Sequence, residues 1–165
     1  MTTFTLETNG LVTLTSPKTG HHRTFLIRTE KWKGNGKWAP RKVRVVSLFV
    51  GDKNTNNNHF LRFGEVREQG GEYRIHLFKE VYTKGVPKKF WGKKPERKTF
   101  AAFAKLLEEP AKAEGAGVKF LASVKCCRCN LTLTDPESIE NGFGDECAKY
   151  IRRGEGRTER PVMVA

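Results

Sequence analysis

KCCRCNLTLTDPESIENGFGDECA, residues 125–148, holds all four cysteines of a 165-residue chain. Cys126 and Cys129 form a C-x2-C pair, the spacing at which a tight backbone knuckle aims two thiolates at one ion. Cys147 follows as a third, lone cysteine. A tetrahedral Zn²⁺ site takes four ligands, so the stretch supplies three and leaves the fourth open. Cys127 is poorly placed to join the pair, because the side chains of adjacent residues diverge. Candidates for the fourth position are His21, His22, His59, His76, Cys127, a carboxylate such as Asp145, or water.

The residues between the cysteines read as one unit. Leu131 and Leu133 alternate with Thr132 and Thr134, which predicts a short extended arm leaving the knuckle. Asp135, Pro136, Glu137 and Ser138 predict a turn, since Asp offers side-chain acceptors and Pro fixes φ. Gly142, Phe143 and Gly144 bring the chain back, with glycine open to backbone angles closed to other residues. A last helix is expected over 146–153, capped by Asp145 or Gly144, with Cys147 in its first turn. Knuckle, arm and helix N-terminus together predict a treble-clef-like or short-ribbon zinc finger.

This pattern of CxxC, LTDPxS, GxG and a lone Cys resembles a zinc-finger module recurrent in bacteriophage and phage-derived proteins of uncharacterised function. Here it is carried by Cys126, Cys129, Leu133, Thr134, Asp135, Pro136, Ser138, Gly142, Gly144 and Cys147. Where that family commonly has glycine beside the first cysteine this chain has Cys127. Where the family often has proline after the second glycine it has Asp145. The resemblance implies a finger at the C-terminus of a small β-rich protein and a host-cytoplasmic setting. It implies little about biochemical activity.

Outward from the finger, composition narrows the class. Hydrophobic residues make up 37% of the chain, enough for a modest core. No apolar run approaches the ~18 residues of a membrane-spanning helix, and the first residues, MTTFTLETNG, have neither a basic nor an apolar signal region. Knuckle-spaced cysteines favour metal over disulfides, and hence a reducing cytoplasm.

The net charge is +13, from 31 Lys and Arg against 18 Asp and Glu. Residues 118–165 are close to balanced, with eight basic and seven acidic residues. Residues 15–49 carry nine basic and one acidic, and residues 81–98 seven and one. An excess so concentrated points to a polyanionic partner.

The fold class expected is α+β: a small antiparallel β-sheet or partly open barrel, one helix, then the finger. Strands are predicted over 11–15, 22–28, 43–50, 59–66 and 72–79, with turn signals between them. Residues 30–42 read as a glycine-rich hairpin excursion, and 51–58, GDKNTNNN, as an exposed polar turn. Pro87, Gly92 and Pro95 argue against regular structure over 83–98. Thr99 is the expected N-cap of a helix over 100–109, whose Phe100, Phe103, Ala104 and Leu107 share one face. Pro110 ends that helix, and a linker follows to Gly117. The resulting division is a β-rich basic domain (1–98), helix and linker (99–117), zinc finger (118–153) and tail (154–165).

Both basic stretches interleave cations with aromatic rings. Lys31, Trp32, Lys33, Lys37, Trp38, Arg41 and Lys42 lie in the first, and Lys88, Lys89, Trp91, Lys93 and Lys94 in the second, beside Phe90. Single-stranded nucleic-acid binders combine such features: cations follow the backbone and exposed rings stack on bases. No catalytic motif accompanies them: there is no phosphate-binding GxxxxGK[ST], nucleophile elbow, HExxH, or His-x-Glu beside the cysteines. The sequence therefore predicts a non-enzymatic, phage-type accessory protein that binds nucleic acid, single-stranded by preference, and uses a structural zinc. The alternative is a phage inhibitor of a host protein or nucleoprotein defence complex.

Overall fold

The computed structural model describes residues 4–37, 39–55 and 59–153. Trp38 and the tail over 154–165 lie outside them. Six strands form one antiparallel sheet: β1 (Gly10–Thr15), β2 (His22–Trp32), β3 (Arg41–Phe49), β4 (Phe60–Gln69), β5 (Glu72–Tyr82) and β6 (Lys119–Ala122). Their order is β5-β4-β3-β2-β1-β6, so the first five make a meander and the sixth returns beside β1. The sheet is open, with β5 and β6 at its edges.

Strand alternation builds the buried face. Phe25 pairs across to Val12 and Leu48, and Ile27 to Val46, so one row of apolar side chains crosses three strands. Between β4 and β5, Gly70 and Gly71 have φ of 61° and 82°, the backbone that a two-residue hairpin turn requires. A register shift between Val46 and Ser47 gives β4 one extra residue, and Phe63 is buried there with Leu61.

Helix α1 (Arg97–Glu108) covers this face. Phe100 packs on Phe63 with ring centroids 4.9 Å apart, and Phe103 on Phe25 at 5.2 Å. Glu108 accepts the outward N–H of Ile75 at 2.6 Å, which ties the helix end to the edge strand. No helix among the described residues is long and apolar enough to cross a membrane.

Several local expectations change. Helix α1 begins at Arg97, with Glu96 as the cap residue, because the Glu96 carbonyl takes the N–H of Thr99 at 2.9 Å and of Phe100 at 3.2 Å. Thr99 therefore sits inside the first turn. The expected linker contains a second short helix, α2 (Pro110–Gly115); Pro110 stands at its start, where a missing N–H costs nothing. Residues Lys88–Lys93 form a 3-10 helix in the stretch read as irregular. It is held by Phe90, which is buried in the main core instead of being exposed among its lysines. The excursion over 30–42 is shorter than expected, since β2 runs to Trp32 and β3 starts at Arg41.

The opposite face of the sheet meets the cysteine module at Thr24, which bonds Thr134 O at 3.3 Å. Leu26, Arg28, Glu30 and Trp32 alternate with the core residues of β2 and so stand on that side.

Candidate metal centre and basic surface

Backbone hydrogen bonds shape the knuckle. Cys126 donates its N–H to Leu131 O at 2.8 Å, and Asn130 returns one to Cys126 O at 2.9 Å. Asn130 turns the chain at φ 60°, a left-handed conformation that asparagine tolerates. Leu133 N–H then bonds Val124 O at 2.9 Å, fixing the extended arm that the Leu–Thr alternation predicts.

The predicted turn at 135–138 proves to open a helix, α3 (Pro136–Asn141). The Asp135 side chain accepts from Ser138 N at 3.2 Å, and Pro136 occupies the first position. Gly142 stops the helix at φ 76°, and its carbonyl accepts Cys127 N–H at 3.1 Å, binding the return loop to the knuckle. Helix α4 (Asp145–Arg152) then places Cys147 in its first turn.

The result brings the Sγ atoms of Cys126, Cys129 and Cys147 within 4.8 Å of one another. Thiolates on a tetrahedral zinc, at ~2.3 Å from the metal, stand ~3.8 Å apart. The three donors thus fit an ion with an adjustment of about 1 Å. Cys126 and Cys147 are buried while Cys129 is exposed, so one side of the site meets solvent. Among the described residues no further His, Cys, Asp or Glu atom joins the group. Asp145, a candidate fourth ligand, gives its carboxylate to Lys53 at 2.7 Å instead.

The thiols differ in acidity. Burial works against the Cys126 thiolate, but N–H groups of Cys129, Gly144 and Arg128 and the Cys129 thiol outweigh it, bringing Cys126 down to about 7. Burial pushes Cys147 up to about 11, helped by its hydrogen bond with Cys129 and only partly opposed by Arg128. The Arg128 guanidinium lies 3.8 Å from Cys147 Sγ and 4.1 Å from the Tyr150 ring centroid. It places a positive charge beside the Cys147 sulfur.

The cysteine module is held to the sheet through the loop after β3. Asn54 donates from its backbone to Thr134 Oγ1 at 2.9 Å and from its side chain to Ser138 Oγ at 2.9 Å. Its side-chain Oδ1 accepts the N–H groups of Thr134 and Asp135 at 3.0 and 3.2 Å. Over residues 51–55 the expected exposed turn is thus a docking element, while 56–58 lie outside the described residues. Thr24 adds a bond to Thr134 O at 3.3 Å. No local signal marks Asn54, because its partners lie some eighty residues away.

The basic residues are exposed as expected: Lys31, Lys33, Lys37, Arg41 and Lys42 around the end of the β2–β3 pair, and Lys88, Lys89, Lys93 and Lys94 along the 3-10 helix. Arg41 pairs with Trp32 across the strands and lies 5.8 Å from its ring. Trp91 is also exposed, with its indole N–H on Val86 O at 2.9 Å. The two tryptophans line different cavities, Trp91 beside Lys94 and Arg97 at the β5 edge, and Trp32 on the open face. The sequence reading passed over Arg28, Glu30, Arg62, Glu65 and Tyr82, which share that open face with Trp32. Alternation along β2 is the signal that finds the first two.

Residues 119–152 match a family described as a family of unknown function (DUF6011). That segment spans β6 and the whole cysteine module. No curated protein and no solved structure matches the chain.

Proposed function

We propose that this protein is a nucleic-acid-binding accessory protein that favours single strands, and that its cysteine module is a zinc finger of structural purpose. One observation carries the binding reading: the two stretches that hold the charge excess present their lysines to solvent, with Trp32 and Trp91 exposed among them. Cations at that density release counterions from a phosphate backbone, and exposed rings stack on unpaired bases.

The zinc reading rests on the donor set. Three sulfurs on a knuckle and a helix N-terminus favour Zn²⁺ over oxygen-seeking cations. Cys126, Cys129 and Cys147 would hold the ion, with Arg128 balancing their negative charge. A module this small draws its folding free energy from the metal. The phage-type setting rests on the motif over 126–147.

The test is a binding series with labelled single- and double-stranded oligonucleotides across increasing salt, using zinc-loaded protein. Binding should be tighter to the single strand, and log K should fall linearly with log salt. Absence of binding at low salt would overturn the reading. The exposed lysines would then form a protein-docking surface, as an inhibitor of a host protein needs, and a pull-down from nuclease-treated host lysate would recover the partner.

A further inference from the structure

The open face of the sheet is not uniformly solvated. Four arginines and two glutamates on it form two shared-carboxylate sets. Glu30 takes Arg28 at 2.6 Å and Arg62 at 3.1 Å. Glu65, nearly buried, takes Arg41 at 3.3 Å and also Arg67. Each guanidinium has five N–H donors in a fixed plane, and a carboxylate occupies only one or two of them. The glutamates therefore hold the arginines down in set orientations while leaving donors free, and the group keeps two positive charges in excess.

Between these sets lies a cavity of about 370 Å³. Val43 and Val45 of β3 form its floor; Trp32 stands on the β2 side and Tyr82 on the β5 side. Tyr82 is 58% exposed, and its ring meets Phe78 edge-on at 5.3 Å. A second cavity of about 220 Å³ adjoins it through Arg62, with Arg28 and Lys84 on its walls. Small-ligand sites begin at ~300 Å³, so the larger cavity has room for one planar base. An apolar floor, two exposed rings and oriented guanidiniums match a base with its phosphate: the base lies on a ring, and the phosphate or base edge meets the free N–H groups.

We infer that this cavity is a base-stacking pocket for an unpaired nucleotide of a single strand, with Tyr82 and Trp32 as the stacking rings and Arg41 and Arg62 as anion and base-edge contacts. The inference rests on the nucleic-acid reading above and assigns it a place on the molecule.

The test compares native protein, Tyr82→Ala and Tyr82→Phe in binding labelled oligothymidylate and an abasic oligonucleotide of equal length. Tyr82→Ala should weaken oligothymidylate binding at least about fivefold, the smaller end of the loss for one base–aromatic stack. It should leave abasic binding unchanged, and Tyr82→Phe should recover most of the loss. Trp32→Ala, also an exposed position, should repeat the pattern. If native protein binds both oligonucleotides equally and Tyr82→Ala changes neither, the pocket is overturned while nucleic-acid binding stands. If neither oligonucleotide binds at low salt, both readings fall.

Discussion

The described residues form two apolar clusters of very different make-up. The sheet and α1 enclose one built from Phe25, Ile27, Leu48, Leu61, Phe63, Phe100 and their neighbours. The cysteine module encloses Val124, Cys126, Leu133, Ile139 and Cys147, of which two are metal-ligand candidates. At ~1.5–3 kcal/mol for each large apolar side chain buried, the first cluster can carry a fold, whereas the second is short of what ordering some thirty residues costs. The difference teaches that the chain has one unit that packing stabilises and a second whose apolar core is too small to do so alone, as the zinc proposal requires.

On that proposal, removing the metal should have the largest effect and should act on one unit alone. A strong chelator, or Cys126→Ser, is expected to unfold the module, since structural zinc contributes on the order of 10–16 kcal/mol to small domains. Amide NMR spectra should then lose dispersion over residues 124–152 while the resonances of β2–β5 hold. Loss of both sets would show that the sheet too depends on the ion.

The converse change strikes the packed unit. Phe25 is wholly buried against Phe63 and Phe103, so Phe25→Ala should cost about 3–5 kcal/mol. A urea midpoint followed through the sheet would measure it. A loss below about 1 kcal/mol would mean that α1 does not seal this face.

The boundary between these units is what the sequence concealed. Strand alternation at Phe25 and Ile27, the apolar face of α1 and the C-x2-C knuckle were legible, because each is a pattern within a few residues. So was Cys147 in the first turn of a helix. The second short helix, the start of α1 at Arg97 and the burial of Phe90 were not. They depend on which carbonyl or cavity lies nearby, and local preference yields to that. The role of Asn54 was hidden more deeply, since a polar turn sequence looks the same whether it meets water or Thr134.

Asn54→Ala tests that boundary. It strands the N–H groups of Thr134 and Asp135 and puts alanine at φ 52°, where asparagine is tolerated better. An unsatisfied buried donor costs about 1–3 kcal/mol, so the module should loosen by a similar amount and melt ahead of the sheet. A single shared transition, unchanged from the native protein, would place the docking energy elsewhere, with Lys53 bridging Asp135 and Asp145 as the next contact to remove.

The smallest expected effect concerns the open face, where charge replaces packing. Burial, the largest single influence on Glu30, raises its pKa, but the hydrogen bond from Arg28 and the charges of Arg62 and Arg28 outweigh it. The carboxyl lies below its ordinary 4.5. A folded-state pKa below the unfolded one gives stability that is present above pH about 4.5 and is lost as pH falls through the folded value. Glu30→Gln should therefore cost no more than about 1 kcal/mol at pH 7, as for a partly exposed ion pair. The difference from the native protein should shrink as pH falls through the folded pKa of Glu30, because its carboxyl then becomes neutral like the amide. Urea midpoints at pH 7 and at successively lower pH decide it. A cost that persists undiminished in acid would mean that Glu30 acts by shape and hydrogen bonding; one that vanishes shows that its charge holds Arg28 and Arg62 in place.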